Sequence, residues 1–254
     1  MGKAKFVASL IEKLTTTEVA KHFKTTGADL AALVGKDPKV SIGGKLVASA
    51  VAKGGSKVGG KPDVDNTFQW PHEPDNEDEP LQFIAQLNLA EVHPHDFDNK
   101  LPAHGMVWLF SIADCDRAYG GEVDSTTTKV LFSSNPGPLE PHDIPETLFE
   151  NEDATIEERK IEFGPAVSTY AIGDSGLKDY VKEAAAELGG RYGAVYMLGA
   201  VKDADEPTFM LASLDMYTIA PNAFGEGILS FTLTDKDLKD GAITNADTVY
   251  NGGT

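Results

Sequence analysis

The spacing of apolar positions changes near residue 55. Before it, Phe6, Val7, Leu10, Ile11 and Leu14 fall on one face of a 3.6-residue period, which predicts an amphipathic helix over residues 3–14. Thr15 with Glu18 forms a capping box. It predicts a second short helix through Val19 and Phe23 to Gly27. A third is expected from Asp29 to Val34, and a fourth over Lys45–Lys53, between Gly43-Gly44 and Gly54-Gly55. After residue 55, short β-type runs alternate with Gly, Pro, Asn and Asp. Strands are expected at Leu81–Leu89, Met106–Ile112, Lys129–Phe132, Val167–Ile172, Ala194–Val201, Thr208–Met216 and Ile228–Leu233. One helix interrupts them, Gly176–Leu188, with Leu177, Val181, Ala184, Ala185 and Leu188 on one face and Gly189-Gly190 as its stop. Pro71–Pro80 and Pro136–Asp153 read as acidic, proline-bounded connections.

Two of these runs resemble each other. Gln82–Leu89 (QFIAQLNL) and Phe209–Met216 (FMLASLDM) align at an offset of 127 residues. Each is followed by a glycine that opens a second apolar strand, Gly105–Ile112 and Gly227–Leu233. Each pair then meets acidic turn residues, Asp114 and Asp116 or Asp235 and Asp237. The expected fold class is therefore α+β, mainly β. Two similar β units, about 56–135 and 165–250, would arise by internal duplication, with a helical N-terminal arm over 1–55 and one further helix.

Charge sharpens that division. The 254 residues carry a net charge of −18, yet residues 1–61 hold 11 lysines against 4 acids, a net of +7, and the remainder carries −25. An acidic body gives phosphate no counter-charge, so nucleic acid is not expected as a partner. The single cysteine, Cys115, excludes an internal disulfide and suits a reducing compartment, most simply the cytoplasm. No apolar run reaches the length of a membrane span, and no signal-peptide core follows the N-terminus. The opening Met1-Gly2-Lys3-Ala4-Lys5 fails as a myristoylation site at Phe6.

The segment Ser56-Lys57-Val58-Gly59-Gly60-Lys61-Pro62, the aromatic-proline step Phe68-Gln69-Trp70-Pro71 and the run Leu81–Glu91 together resemble the YwqG-like family. The likeness continues through Leu101-Pro102 and Gly105–Ile112, and more loosely through Thr208–Asp215, Gly225-Glu226-Gly227, Ile228–Leu233 and Asp237-Leu238. It covers about residues 56–250. Three positions depart from the family pattern. Phe224-Gly225-Glu226 replaces its W-G-D turn, Ser213 replaces the second-repeat glutamine, and Val249–Gly253 stands where a closing tryptophan–aspartate–cysteine segment is usual. The resemblance implies a duplicated, mainly β fold with peripheral helices and no defined reaction. Relatives in bacterial toxin–immunity neighbourhoods imply binding rather than catalysis.

Candidate chemistry is sparse. Gly59-Gly60-Lys61 lacks the spacing of a phosphate loop and is followed by Pro62, so a turn is expected. His93, His95 and Asp96 could converge on a metal, but a polar loop after a strand is the preferred reading and no metal is expected. Asp235–Ile243 places lysine and leucine where a calcium loop needs acids, and reads instead as a capped helical turn. Gln86, Asn88 and Asp215 are polar residues inside apolar strands. They are either hydrogen-bonding pins or the lining of a cleft between the repeats. Trp70, Trp108 and Phe110 are expected in the core. No catalytic residue can be assigned and no cofactor is expected.

These observations favour a non-catalytic interaction or assembly protein. In that reading the basic arm, through Lys3, Lys5, Lys13, Lys21 and Lys24, docks on the acidic body in cis or in trans. Its partner would be a protein, and one candidate is a second copy. A small-ligand binder or enzyme using Gln86, Asn88 or Asp215 is the alternative, and an immunity-type binder of a protein toxin is a second. Membrane attachment through Phe6–Leu14 is opposed by the acidic body.

Overall fold

The runs around Leu81, Met106, Lys129, Ala194, Thr208 and Ile228 form strands of one ten-stranded sheet. The computed structural model describes residues 2–16, 22, 40–74, 76–149, 156–167, 175–199 and 208–252. In chain order the first half contains α1 (Lys3–Leu14), β1 (Val40–Val47), β2 (Lys57–Val58), β3 (Asp63–Val64), β4 (His72–Glu73), β5 (Asn76–Pro80), β6 (Gln82–Asn88), α2 (Leu89–Val92), β7 (Met106–Ser111), α3 (Cys115–Tyr119), β8 (Thr128–Ser133) and β9 (Glu140–Pro141). The second contains β10 (Arg159–Val167), α4 (Ser175–Glu187), β11 (Val195–Met197), β12 (Thr208–Asp215), α5 (Met216–Ile219), α6 (Pro221–Phe224), β13 (Gly227–Thr234), α7 (Asp235–Asp240) and β14 (Asp247–Gly252). The main sheet runs β14-β13-β12-β11-β1-β10-β2-β6-β7-β8, all antiparallel. It is nearly closed, because its end strands meet through the Thr128 and Thr248 hydroxyls.

The order of this sheet has an exchange at its middle. β1 precedes the first half in sequence but pairs with β11 of the second, and β10 precedes the second half but pairs with β2 of the first. β1 and β10 pair along their length, with Gly43 opposite Gly164. On either side of this pair the element order is similar: β6, α2, β7, α3, β8 in the first half and β12, α5, α6, β13, α7, β14 in the second. The β6–β7 ladder shifts register between Phe83 and Ala85, and the β12–β13 ladder between Met210 and Ala212, again 127 residues apart. Asn88 caps α2 as Asp215 caps α5.

Several expectations need correcting. Val40–Val47 is a central strand, so the helix expected over Lys45–Lys53 does not form, and residues 40–47 of the presumed arm belong to the sheet. Gly43-Gly44 is not punctuation. A β-carbon at Gly43 would lie 1.9 Å from the Arg191 carbonyl oxygen, and one at Gly44 would lie 2.8 Å from the Ile161 side chain. The strand expected at Val167–Ile172 lies earlier, at Arg159–Val167, and residues 168–172 are outside the described set. The proposed helices carrying Val19, Phe23 and Asp29–Val34, together with Lys21 and Lys24, also fall outside it, as does the capping residue Glu18. Asp235–Asp240 is the capped turn expected, with Thr234 at its start and left-handed Gly241 at its end.

Two apolar clusters hold the structure. The larger lies along the sheet and includes Phe83, Leu87, Leu109, Phe110, Leu214 and Phe231, all fully buried. The smaller joins α1 to α4: Phe6, Leu10 and Leu14 pack with Leu177, Val181 and Ala185. Burial of each large side chain contributes about 1.5–3 kcal/mol. Lys3 binds Asp98 at 2.9 Å, and Lys13 binds Glu187. Both pairs are surface-exposed, so the apolar contacts dominate this docking. Among the described residues no helix is long and apolar enough to cross a membrane.

Candidate functional site

The registers define the outer rows of one face in each half of the sheet, because directly paired residues point the same way. In the first half it contains the row Lys57–Gln86–Trp108–Leu131, flanked by Phe83–Phe110–Lys129 and Asn88–Met106–Ser133. In the second half the corresponding rows are Tyr196–Ser213–Ser230–Val249, Met210–Thr232–Asp247 and Asp215–Ile228–Asn251.

In the first half this face is covered by the segment Gly54–Trp70. Gln86 is fully buried and ties the segment down. Its Oε1 accepts from the Asp63 amide at 2.8 Å, and its Nε2 donates to the Gly55 carbonyl at 2.8 Å and to Asp63 Oδ2 at 2.9 Å. The same carboxylate oxygen accepts from the Gly54 amide at 3.0 Å and lies 3.4 Å from Lys57 Nζ. Lys57, only 3% exposed, also binds Glu158 at 2.9 Å. Asn88 donates to the Gly54 carbonyl at 2.8 Å, and the Ser56 amide donates to Glu91 at 2.9 Å. Trp108 Nε1 donates to the Asp63 carbonyl at 2.9 Å. Polar groups buried on an apolar sheet are thus satisfied by one loop, and the loop's own backbone groups are satisfied in return. Gln86 and Asn88 are therefore pins rather than exposed lining.

Further along, Phe68 and Trp70 lie over Phe110, with Trp70 edge-on at 5.6 Å between ring centroids and its Nε1 donating to the Leu81 carbonyl. His142 closes against both rings. Trp108 and Phe110 are core residues, while Trp70 is only half-buried. A hollow of about 510 Å³ remains beside them, lined by Trp70, Trp108, Leu131, Asp65 and Lys129 among others. Two hydrogen bonds from Thr67 hold the Asp65 carboxyl below its usual range.

The second half lacks an equivalent cover among the described residues. Ser213 and Ser230 bind each other at 3.0 Å. Around them Tyr217 is 60% exposed, Val249 44% and Ile228 39%. A hollow of about 470 Å³ is bounded by Asp215, Tyr217, Glu226, Ile228 and Asn251. Asp215, Glu226 and Asp247 have no lysine or arginine partner among the described residues. The turn beneath them requires glycine. Gly225 has φ +63°, and a β-carbon there would meet the Tyr119 hydroxyl, which accepts from the Glu226 amide at 2.8 Å.

The other sequence candidates lie apart. Asp215 caps α5 through Thr218 in the second half, whereas Gln86 and Asn88 belong to the first. His93, Pro94 and His95 form a 3₁₀ turn. Asp96 is buried and accepts from the Leu101 amide at 2.8 Å. Burial holds the His95 pKa below its usual value, with the Arg191 charge adding to the effect. No group of three or more His, Cys, Asp or Glu among the described residues could hold a metal ion. Sequence reasoning missed Lys57, Asp63, Glu91 and Glu158, because a lysine or aspartate among glycines reads as a solvated turn.

A search of curated proteins returned no match. Residues 56–250, which span the faces of both halves and the loop that covers the first, match one family model, and the chain belongs to the family described as Domain of unknown function (DUF1963).

Proposed function

We propose that this protein is a non-catalytic binding protein whose partner is another polypeptide, held on the open face of the second half. The observation that carries this reading is the contrast between the two faces. The first is sealed by the chain's own extended segment, while the second leaves Tyr217, Ile228 and Val249 in solvent beside three carboxylates. Exposed apolar groups grouped on a sheet face, rimmed by charge, are typical of interaction surfaces. An immunity-type partner, a protein toxin, is one form the reading can take. Two copies meeting through this face would bring like charges together, which favours a different molecule as partner.

The test is capture from a native extract by the full chain and by an Ile228→Ser/Val249→Ser variant, with Lys236→Ser as the surface control. Proteins retained by the parent and the control but lost by the double variant are expected. An identical set from all baits would overturn the reading.

We also read the chain as a YwqG-like member of its family that arose by duplication of a strand–helix–strand–helix–strand unit. Support comes from the register shifts 127 residues apart and from the paired caps Asn88 and Asp215. A small-ligand role has one observation in its favour, the aromatic hollow beside Trp70. Tryptophan fluorescence of a Trp108→Phe variant would report its occupancy.

A further inference from the structure

The two faces carry opposite charge patterns, and this identifies the occupant of the open one. In the first half the cations stand on the sheet, at Lys57 and Lys129, and the acids stand on the covering segment, at Asp63 and Asp65. Lys57 meets Asp63 directly, and Lys129 and Asp65 line the same hollow. At the matching positions of the second half, Tyr196 replaces Lys57 and Asp247 replaces Lys129, while Asp215 replaces Asn88. The acids are now on the sheet, with Glu226 beside Asp215, and no lysine or arginine among the described residues lines the hollow. A covering segment of the same form must therefore carry the positive charge.

We infer that the open face takes an extended polypeptide segment from a partner protein, with lysine or arginine at alternate positions and small or apolar residues between them. This deepens the binding role proposed above and rests on it. Alternate side chains of an extended segment face the same way, so bases two residues apart can address the sheet together. Tyr217, 60% exposed at the rim, offers a ring face to a cation.

The probe is a labelled synthetic peptide with the sequence of residues 62–70 in which Asp63→Lys and Asp65→Lys are introduced. The unaltered peptide and an Asp63→Asn/Asp65→Asn peptide are run beside it. Anisotropy is measured with the full chain at low and high salt. The lysine peptide is expected to bind most tightly and to weaken with salt. Asp215→Asn/Asp247→Asn in the protein should reduce that affinity by about tenfold and remove most of the salt dependence, while Asp235→Asn leaves both unchanged. Equal binding of all three peptides, or no loss in the double variant, would overturn the charge assignment. If the asparagine peptide binds best and Ile228→Ser/Val249→Ser abolishes it, polypeptide binding stands and the basic partner falls. No binding by any peptide up to ~1 mM, an affinity of about −4 kcal/mol, sinks the inference and leaves the extract experiment to decide the broader role.

Discussion

Thr248 donates a hydrogen bond to Thr128 across the seam where the two ends of the sheet meet. The hydroxyl oxygens are 2.7 Å apart and both residues are buried. The direction follows because Thr128 spends its own proton on the Asp124 carbonyl, also at 2.7 Å. Thr248→Val should cost about 1 kcal/mol, and Thr128→Val more, since it also removes the hydrogen bond to the Asp124 carbonyl. The double variant should cost less than the two singles combined, by about 0.5–1 kcal/mol, read from urea midpoints at constant slope. Strict additivity would mean the seam is not coupled through these hydroxyls.

Lys57 is the most consequential charge in the sheet. Lys57→Met would keep the apolar stem but leave Asp63, 3% exposed, without its cation. A loss of about 3–5 kcal/mol is expected. Adding Asp63→Asn should recover part of it, because the uncompensated charge disappears. Gln86→Leu should cost about 2–4 kcal/mol by orphaning the Asp63 amide and the Gly55 carbonyl. Thermal unfolding of the three variants tests the network as a unit.

How much of this could be read beforehand differs by element. Gln82–Asn88, a short and mostly apolar run, and Gly227–Thr234, which alternates, can both be read as strands from sequence alone. β1 cannot, because its two central glycines signal a turn locally and are required by tertiary neighbours, the Arg191 backbone at Gly43 and the Ile161 and Val195 side chains at Gly44. β14 is short and polar, with nothing to mark it but its partner β13. Gln86 and Asn88 were legible as unusual residues, but their partners lie on a loop that only the tertiary fold brings near. The contrast between the two faces was partly visible, as Ser213 in place of glutamine. Its charge reversal needed the register.

Tyr192 gives the protein an alkaline limit. Its hydroxyl accepts from the Val167 amide at 3.0 Å, and burial pushes its pKa up to about 12 from an ordinary 10.0. A group whose folded pKa is raised stabilises the fold fully below its unfolded value and loses that contribution as pH rises through the folded value. Stability on the order of 2–3 kcal/mol should therefore disappear between about pH 10 and pH 12. Tyr250, also raised to about 12 with burial as the main cause, should act in the same direction. Tyr192→Phe should reduce the slope of urea midpoint against pH, and Tyr192→Phe/Tyr250→Phe should reduce it further, with Tyr196, also raised by burial, still contributing.

The α1–α4 cluster is separate from the main core, so it should open on its own. Leu10→Ala, at a fully buried site, should cost about 2–5 kcal/mol locally. Amide exchange should accelerate in α1 and α4 and remain unchanged in β7. A uniform increase across the sheet would show that the helices and the sheet unfold as one unit.

The crossed inner strands govern how the chain can be made. A ribosome releases β1 early, but its neighbour on either side, β10 or β11, is not yet synthesised. The first half likewise waits for β10 to flank β2. Neither half can therefore mature while the other is missing, and a nascent chain stopped near residue 150 would hold an unsatisfied strand. The same crossing suggests that two separately expressed pieces cut between β9 and β10 would each be incomplete and would reassemble by trading their first strands.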